Sequence, residues 1–171
     1  MAWGCVMKWW VGIDPGRRGA MVALSSDLDA LVYRSRLSAG WASDHERLDA
    51  WRSMLEDVGG SASVAAVWVE LQQVRGQQQG QARHVREAGL WCGWALAYGL
   101  HLEERRPHGG DGWRAAAGMR SSAGKAETLA LVEARLPQLD TAPGRLRAPH
   151  DGLVDAAAMA YAALRVQSGV V

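Results

Sequence analysis

The sequence predicts an α/β fold built on a mixed β-sheet. Apolar runs of strand length come first along the chain and then alternate with segments of helical spacing. The last of these helices is apolar nearly all round, so it must lie buried against a sheet. Two of the buried runs end in a single acid, Asp14 and Glu70. The tip of a buried strand solvates a lone carboxylate poorly, so something should hold each acid there.

The first part of the chain predicts an antiparallel meander followed by a helix. Residues 6–14 form an apolar run, and a Pro-Gly-Arg-Arg-Gly turn leads into a second run at 20–25. Residues 31–36 give the third strand. Residues 43–58 show helical spacing, with a serine or an aspartate at the start to cap the helix.

The second part mixes strands and helices. Residues 64–70 form a short apolar run between Gly-Gly-Ser and a polar stretch, the pattern of a buried central strand. Residues 71–80 are rich in Gln and Gly and have no core pattern. The remaining predicted elements are helices at 81–99, 123–136 and 150–166, one helical turn at 113–117, and a short strand at 100–104.

Size and composition favour a single intracellular domain, which we expect to span residues 1–171. The chain of 171 residues is long enough for one core. Its net charge of +1 neither indicates nor excludes nucleic acid, but 17 of its 19 basic residues are Arg, whose planar guanidinium suits phosphate. A GC-rich genome is the alternative cause. Cys5 and Cys92 show no metal or redox spacing, which indicates reduced thiols in a cytoplasm.

Four acids occupy positions where the pattern favours apolar residues. Asp14 and Glu70 end the two buried runs, and Asp151 and Asp155 lie four residues apart, on one face of the closing helix. Each like-charged pair about 4 Å apart would cost roughly 4 kcal/mol at an effective dielectric of about 20. Carboxylates without His or Cys partners select Mg²⁺ or Mn²⁺ over zinc. Two such ions about 3.5–4 Å apart are a known solution for cutting phosphodiesters.

Each acid also has an ordinary structural explanation. Asp14 precedes Pro-Gly and suits a turn. Glu70 suits a strand end that meets solvent, and Asp151 suits a helix cap. Asp155 is harder to explain in this way, because it interrupts an apolar helix. The joint pattern therefore favours a metal site.

Three stretches resemble the RuvC-type Holliday-junction resolvases, most closely the phage and plastid branches. They are GIDPGRRG at 12–19, VWVELQ at 67–72 and HDGLVDAAAMAYA at 150–162. RRPHGGDGWRAAAG and SSAGKAETLALVEARLPQL also resemble the family, so the similarity runs in order over roughly residues 6–166. It implies an RNase H-like fold, with a mixed five-stranded sheet and helices on both faces. It also implies a homodimer that cuts four-way DNA junctions with Mg²⁺ or Mn²⁺, two ions per active site.

The resemblance implies roles for individual residues. Asp14, Glu70, Asp151 and Asp155 match the metal-binding acids, and Lys125 matches the lysine near the scissile phosphate. The four-residue spacing of the last two acids resembles the phage and plastid pattern. Some bacterial members place a His among the ligands, which leaves His150 as an alternative to Asp151. We favour Asp151, because it stacks with Asp155, and we expect His150 to cap the helix.

The same resemblance implies a DNA-contacting segment and a dimer seam. The Gln-rich loop follows the second acid, where relatives probe the junction centre; its candidates are Arg75, Gln77 and Gln78, and a solvated connector is the alternative. Trp113 is a candidate to stack on DNA, with local packing as its alternative. Gly89, Gly93 and Ala97 lie at four-residue steps on one helix ridge, which lets two backbones approach closely. We expect a homodimer seam there, or else close packing on the chain's own sheet.

The leading hypothesis is therefore a metal-dependent endonuclease that resolves four-way DNA junctions by paired nicks. A second class is a phosphate-binding domain of the actin and sugar-kinase type, whose first strand also leads into an Asp-x-Gly loop. The length argues against two lobes that close on a nucleotide. A third is a catalytically inactive junction-binding protein. Composition and the phage-like spacing suggest a bacteriophage of a thermophilic, GC-rich host.

Overall fold

The computed structural model describes residues 7–35, 40–71, 81–143 and 148–169, without the side chains of Gln81 and His84. Five strands form one sheet in the order β3-β2-β1-β4-β5. The strands are β1 (Trp9–Asp14), β2 (Ala20–Ser25), β3 (Ala30–Arg34), β4 (Val64–Glu70) and β5 (Leu102–Arg105). The helices are α1 (Asp44–Asp57), α2 (Gln81–Ala97), α3 (Trp113–Ala116), α4 (Lys125–Arg135) and α5 (Asp151–Ser168), and a short 3-10 turn lies at Ser61–Ser63. None of the helices in these ranges is long and apolar enough to cross a membrane.

The sheet is mixed, as predicted. Strands β1, β2 and β3 pair antiparallel as a meander. Strand β4 pairs parallel with β1, and β5 pairs parallel with β4. The carboxyl ends of β1 and β4 therefore meet at the same edge of the sheet.

Two hydrophobic clusters cover the two faces of the sheet. Alternate residues of a strand point to opposite faces, so Trp10 packs with α3, α4 and α5, while Trp9, Val11 and Ile13 pack with α1 and α2. Helix α5 is buried along most of its length, because its own side chains are Ala and other apolar residues on nearly every side. This confirms the prediction drawn from its composition.

Helix α5 lies unusually close to β1 because Gly12 has no side chain. A Cβ built on Gly12 would lie 2.1 Å from the main-chain oxygen of Ala156 and 2.5 Å from the nitrogen of Ala160. Only glycine fits such an approach of backbone to backbone. The small residues of α5 allow the same closeness from the other side.

The predicted boundaries hold to within a few residues, and the later start of β5 has a local cause. Residue 100 was expected to start the fifth strand, but the Leu100 N–H bonds back to Ala95 O at 3.0 Å and the Gly99 N–H to Leu96 O at 3.0 Å. With Gly99 at φ 68°, this is a Schellman end for α2. Helix α1 starts as expected, because the Ser43 side chain accepts from the Glu46 N–H at 3.2 Å.

Candidate active site

Two of the four predicted acids meet because their strands are parallel neighbours. Ile13 stands opposite Val69 in the β1–β4 ladder, so Asp14 and Glu70 follow at the same edge. Asp14 continues the side of β1 that carries Trp10, and Glu70 the side of β4 that carries Trp68; both tryptophans pack in the cluster around α5. Strand alternation therefore directs both carboxylates toward α5.

The start of α5 lies directly over the end of β1. A Cβ built on Gly152 would lie 2.8 Å from Asp14 Oδ2 and 2.5 Å from the main-chain oxygen of Arg18. Asp155, one turn further along α5, thereby joins Asp14 and Glu70 at one site. The structure thus brings together three acids from well-separated parts of the chain.

The charges of these three acids act on one another. Burial, together with the negative charges of Asp14 and Asp155, raises the pKa of Glu70 to about 8. Burial and the charge of Asp14 raise the pKa of Asp155 to about 6. Glu70 and Asp155 are therefore harder to ionise than free carboxylates, and a compensating positive charge would favour their ionised forms.

Arg114 supplies part of that compensation. Its side chain is almost completely buried, and Nη2 lies 3.9 Å from Asp155 Oδ1. The charge of Arg114 lowers the pKa of Asp155 and of Glu70, but burial and the other acids outweigh it. At 3.9 Å the contact is an ion pair without a close hydrogen bond.

Asp151 and Lys125 stand at the outer rim of the site. The Lys125 ammonium pairs with Asp151 Oδ2, and both side chains are largely exposed. The hydrogen bond to Asp151 is the main cause that raises the pKa of Lys125, and the charges of Asp155 and Asp14 contribute. Lys125 is therefore within electrostatic reach of Asp155 and Asp14.

His150 caps α5, as predicted. Its Nδ1 accepts from the Leu153 N–H at 3.0 Å, and the residue is only 2% exposed. Burial lowers the pKa of His150, and the positive charges of Arg34 and Arg18 lower it further, so the ring is neutral at pH 7. Because Nδ1 accepts in the cap, Nε2 carries the proton of the neutral ring, so His150 could bind a metal only by giving up the cap.

Two cavities adjoin at the site. The larger, of about 450 Å³, includes Asp14, Glu70, Arg17 and Arg18 in its lining. The smaller, of about 180 Å³, lies on the side of Lys125 and Asp155. Arg17 and Arg18 have exposed side chains in the turn after Asp14. The acids therefore border cavities that reach solvent, with Arg17 and Arg18 on one side and Lys125 on the other.

The donor chemistry suits a hard divalent cation, because every converging side chain offers carboxylate oxygen. A cation would also relieve the repulsion that raises the pKa of Glu70 and of Asp155. Within the described ranges, however, no three Asp, Glu, His or Cys side chains stand close enough together to hold a metal as they are. The donor set fits, but the side chains of Asp14, Glu70 and Asp155 would have to move closer together to hold one cation, and Asp151 would have to leave Lys125 to join them.

The prediction that Trp113 stacks on DNA is wrong. Trp113 is fully buried in the cluster around α5, and its indole N–H donates to Glu70 Oε2 at 3.2 Å. Local packing, the alternative, is what the structure shows. Arg75, Gln77 and Gln78 lie outside the described residues, so their role stays a prediction.

The ridge of small residues on α2 faces solvent. Gly89, Gly93 and Ala97 are exposed, and a Cβ built on either glycine would meet nothing within 4 Å. The alternative of close packing on the chain's own sheet is therefore wrong. Val85 and Leu96, which are 51% and 64% exposed, lie on the same side of the helix.

Arg114, Arg17 and Arg18 were not among the predicted site residues. Arg17 and Arg18 directly follow the Asp14 turn, so their position in the motif was an available signal. Nothing in the local pattern of 113–117 reveals that Arg114 is buried beside Asp155. That placement depends on how α3 packs against α5, which is a tertiary contact.

The architecture is that of the RNase H-like fold, and structural comparison places it beside RuvC. A structure of RuvC from Thermus thermophilus is 24% identical, with a TM-score of 0.57, over 93% of this chain and 95% of that chain. A second, of T. thermophilus RuvC in complex with a Holliday junction substrate, is 23% identical, with a TM-score of 0.57, over 95% of this chain and 96% of that chain. No protein-family model and no curated protein sequence matches the chain. The comparison confirms the predicted fold.

Proposed function

We propose that this chain is an endonuclease that resolves four-way DNA junctions by paired nicks and depends on divalent metal. The observation that carries the proposal is the convergence of Asp14, Glu70 and Asp155 on a fold shared with RuvC. One of the two RuvC structures is a complex with a Holliday junction substrate. A shared fold alone does not define a reaction, so the proposal depends on the carboxylates that the fold brings together.

The chain's own residues would hold and orient the reacting groups. Asp14, Glu70 and Asp155 would bind Mg²⁺ or Mn²⁺, and Asp151 would join them once its side chain leaves Lys125. When bound, such a cation would activate water and stabilise the leaving oxygen. Lys125, once released by Asp151, would lie beside the scissile phosphate and stabilise its developing charge. His150, being neutral and buried, would fix the start of α5 and with it the position of Asp151.

Basic side chains around the acids would bind the DNA backbone. Arg17 and Arg18 line the larger cavity beside Asp14 and Glu70, and Lys125 borders the other side. Arginine donates two parallel hydrogen bonds to phosphate. This binding would weaken as salt rises and would carry little information about base sequence.

We also propose that two copies of the chain pair through α2. The exposed Gly89, Gly93 and Ala97 leave room for a second backbone, and the exposed Val85 and Leu96 beside them offer apolar surface. Two linked active sites are what paired nicks require.

Gly93→Ala tests the dimer. In a monomer the new methyl group would meet nothing and should stabilise α2 by about 1 kcal/mol. In a dimer that uses this ridge it should weaken association. Sedimentation velocity and urea unfolding separate the two outcomes, and tighter association of the variant would contradict the seam.

Asp14→Asn tests the nuclease. The Gly16 N–H donates to Asp14 Oδ1 at 2.9 Å, and an asparagine oxygen can accept the same bond. The substitution also removes one charge from the cluster, so it should leave folding intact or improve it. We expect the variant to bind a synthetic four-way junction and to leave it uncut in Mg²⁺. Asp49→Asn, an exposed acid on α1, is the matched control.

The other function classes predict different results in the same experiments. An actin or sugar-kinase type of domain would be stabilised against heat by ATP with Mg²⁺ more than by junction DNA. A catalytically inactive junction-binding protein would bind the junction and fail to nick it in either metal. If the Asp14→Asn variant cuts at the wild-type rate, Asp14 is not part of the active site.

A further inference from the structure

Trp113 makes a specific contact with one of the candidate metal ligands. It is the first residue of α3 and is fully buried, and its indole N–H donates to Glu70 Oε2 at 3.2 Å. This hydrogen bond lowers the pKa of Glu70, against the stronger effect of burial. The indole therefore favours the ionised carboxylate, which is the form that binds cations.

The indole is held in place from several sides. The Trp113 main-chain N–H donates to Arg106 O at 2.8 Å, at the end of β5, and its carbonyl accepts from the Ala117 N–H at 2.8 Å. The ring packs in the cluster between the sheet and α5. The Arg114 guanidinium carbon lies 4.8 Å from the ring centroid. Because the ring is fixed, its N–H keeps one direction, and it therefore holds the Glu70 carboxylate in one orientation.

Among the described residues, four other buried tryptophans make no indole hydrogen bond, and that of Trp10 goes to Gln167 Oε1 at 3.0 Å, away from the acids. In the described part of the chain, the indole nitrogens of Trp41, Trp51, Trp68 and Trp91 are buried without a hydrogen-bond partner. Trp68 is the closest parallel, because it lies in β4 two residues before Glu70, is fully buried, and has the Arg105 guanidinium 4.5 Å from its ring centroid. The two tryptophans share burial and a stacked arginine, and differ in the hydrogen bond to Glu70.

We propose that Trp113 is a positioning residue for Glu70. Its indole N–H engages Oε2 and so orients the carboxylate, which leaves Oε1 as the oxygen directed at a cation shared with Asp14 and Asp155. The inference rests on the proposed function for its consequence in catalysis, but the contact itself is independent of it. Hydrogen bonds to metal ligands commonly change metal affinity by tenfold or more.

Trp113→Phe tests this role, with Trp68→Phe as the matched control. Both substitutions shrink a buried ring that carries a stacked arginine, but only the first removes a hydrogen bond to Glu70. We expect Trp113→Phe to raise the Mn²⁺ concentration for half-maximal nicking, and the calorimetric Kd for Mn²⁺ without DNA, by about tenfold. Junction binding in EDTA should stay unchanged. Trp68→Phe should shift neither Mn²⁺ value by more than about twofold.

The indole N–H signal gives a readout that does not depend on cutting. In a ¹⁵N spectrum of the wild type, the signals missing from Trp113→Phe and from Trp68→Phe identify the two indoles. We expect the Trp113 signal to move on addition of Mg²⁺ and in a Glu70→Gln variant, and the Trp68 signal to move much less in both cases.

The outcomes separate the inference from the proposed function. A wild type that does not nick, with a Trp113 signal that still responds to Mg²⁺ and to Glu70→Gln, supports the positioning role and overturns the nuclease. A wild type that nicks, with equal Mn²⁺ shifts in the two tryptophan variants, overturns the positioning role alone. A Trp113 signal indifferent to both perturbations overturns it as well.

Discussion

Adding one methyl group at Gly12 should displace Asp155 from Asp14. A Cβ at position 12 would lie 2.1 Å from Ala156 O and 2.5 Å from Ala160 N, both main-chain atoms of α5. Neither atom can rotate away, so α5 must move by about 1 Å to restore a normal contact. Overpacking of this kind costs up to about 3 kcal/mol, out of the roughly 5–15 kcal/mol that stabilises a domain.

The effect on cutting should exceed the effect on folding. A misplacement of about 1 Å in an active site costs on the order of a hundredfold in rate, so Gly12→Ala should fold and bind a junction yet nick it at about 1% of the wild-type rate. Urea unfolding and a single-turnover nicking assay measure the two effects. Gly110→Ala, where the new Cβ also meets nothing within 4 Å, is the control. Wild-type stability and wild-type cutting in Gly12→Ala would refute the close packing of α5 on β1 as the origin of the site.

The two other predictions concern charge. Because the pKa of Glu70 in the folded protein is raised to about 8 from an ordinary 4.5, the folded state keeps a proton that the unfolded state loses, and metal-free stability should fall as pH rises from about 4.5 to 8. Glu70→Gln should reduce this fall, as measured by urea unfolding at pH 5 and pH 8, and an equal fall in both proteins would contradict the pKa shift. Lys125→Met should slow nicking by about a hundredfold and change the unfolding free energy by less than about 1 kcal/mol, because its ion pair with Asp151 is exposed. If Lys125→Met lowers junction affinity by the same factor as it lowers the nicking rate, Lys125 is instead a general DNA contact.

The sequence was most informative where strand and helix periodicity alone decides the outcome. The strands at 20–25 and 64–70 are placed as predicted, because each is an apolar run with sharp turn signals at both ends. The joint pattern of acids indicated that Asp14 and Glu70 meet, and the parallel pairing of β1 with β4 is what brings their carboxyl ends together. The cap at His150 was expected because that residue precedes the helix and lies off the face shared by Asp151 and Asp155.

The sequence was less informative where packing between distant elements decides the outcome. The polar, glycine-rich stretch around Trp113 left open whether it stacks on DNA or packs locally, and the structure buries it in the cluster around α5, with its N–H on Glu70. Arg47 occupies a helix position next to the predicted apolar face, yet it is buried because Glu87 of α2 pairs with it at 2.8 Å. Local spacing does not reveal that Trp113 contacts Glu70 or that Arg47 pairs with Glu87. In both cases the partner lies in an element some 40 residues away along the chain.

Calorimetric titration of Mn²⁺ into the DNA-free protein at pH 7 tests the central claim most directly. With the pKa of Glu70 at about 8, most molecules carry a proton there, and cation binding should release it. We predict Mn²⁺ binding whose apparent heat depends on the ionisation enthalpy of the buffer, with about one proton released per site, and loss of that release in Glu70→Gln. Absence of Mn²⁺ binding, or binding that Glu70→Gln and Asp14→Asn leave unchanged, would contradict a cation site formed by these acids.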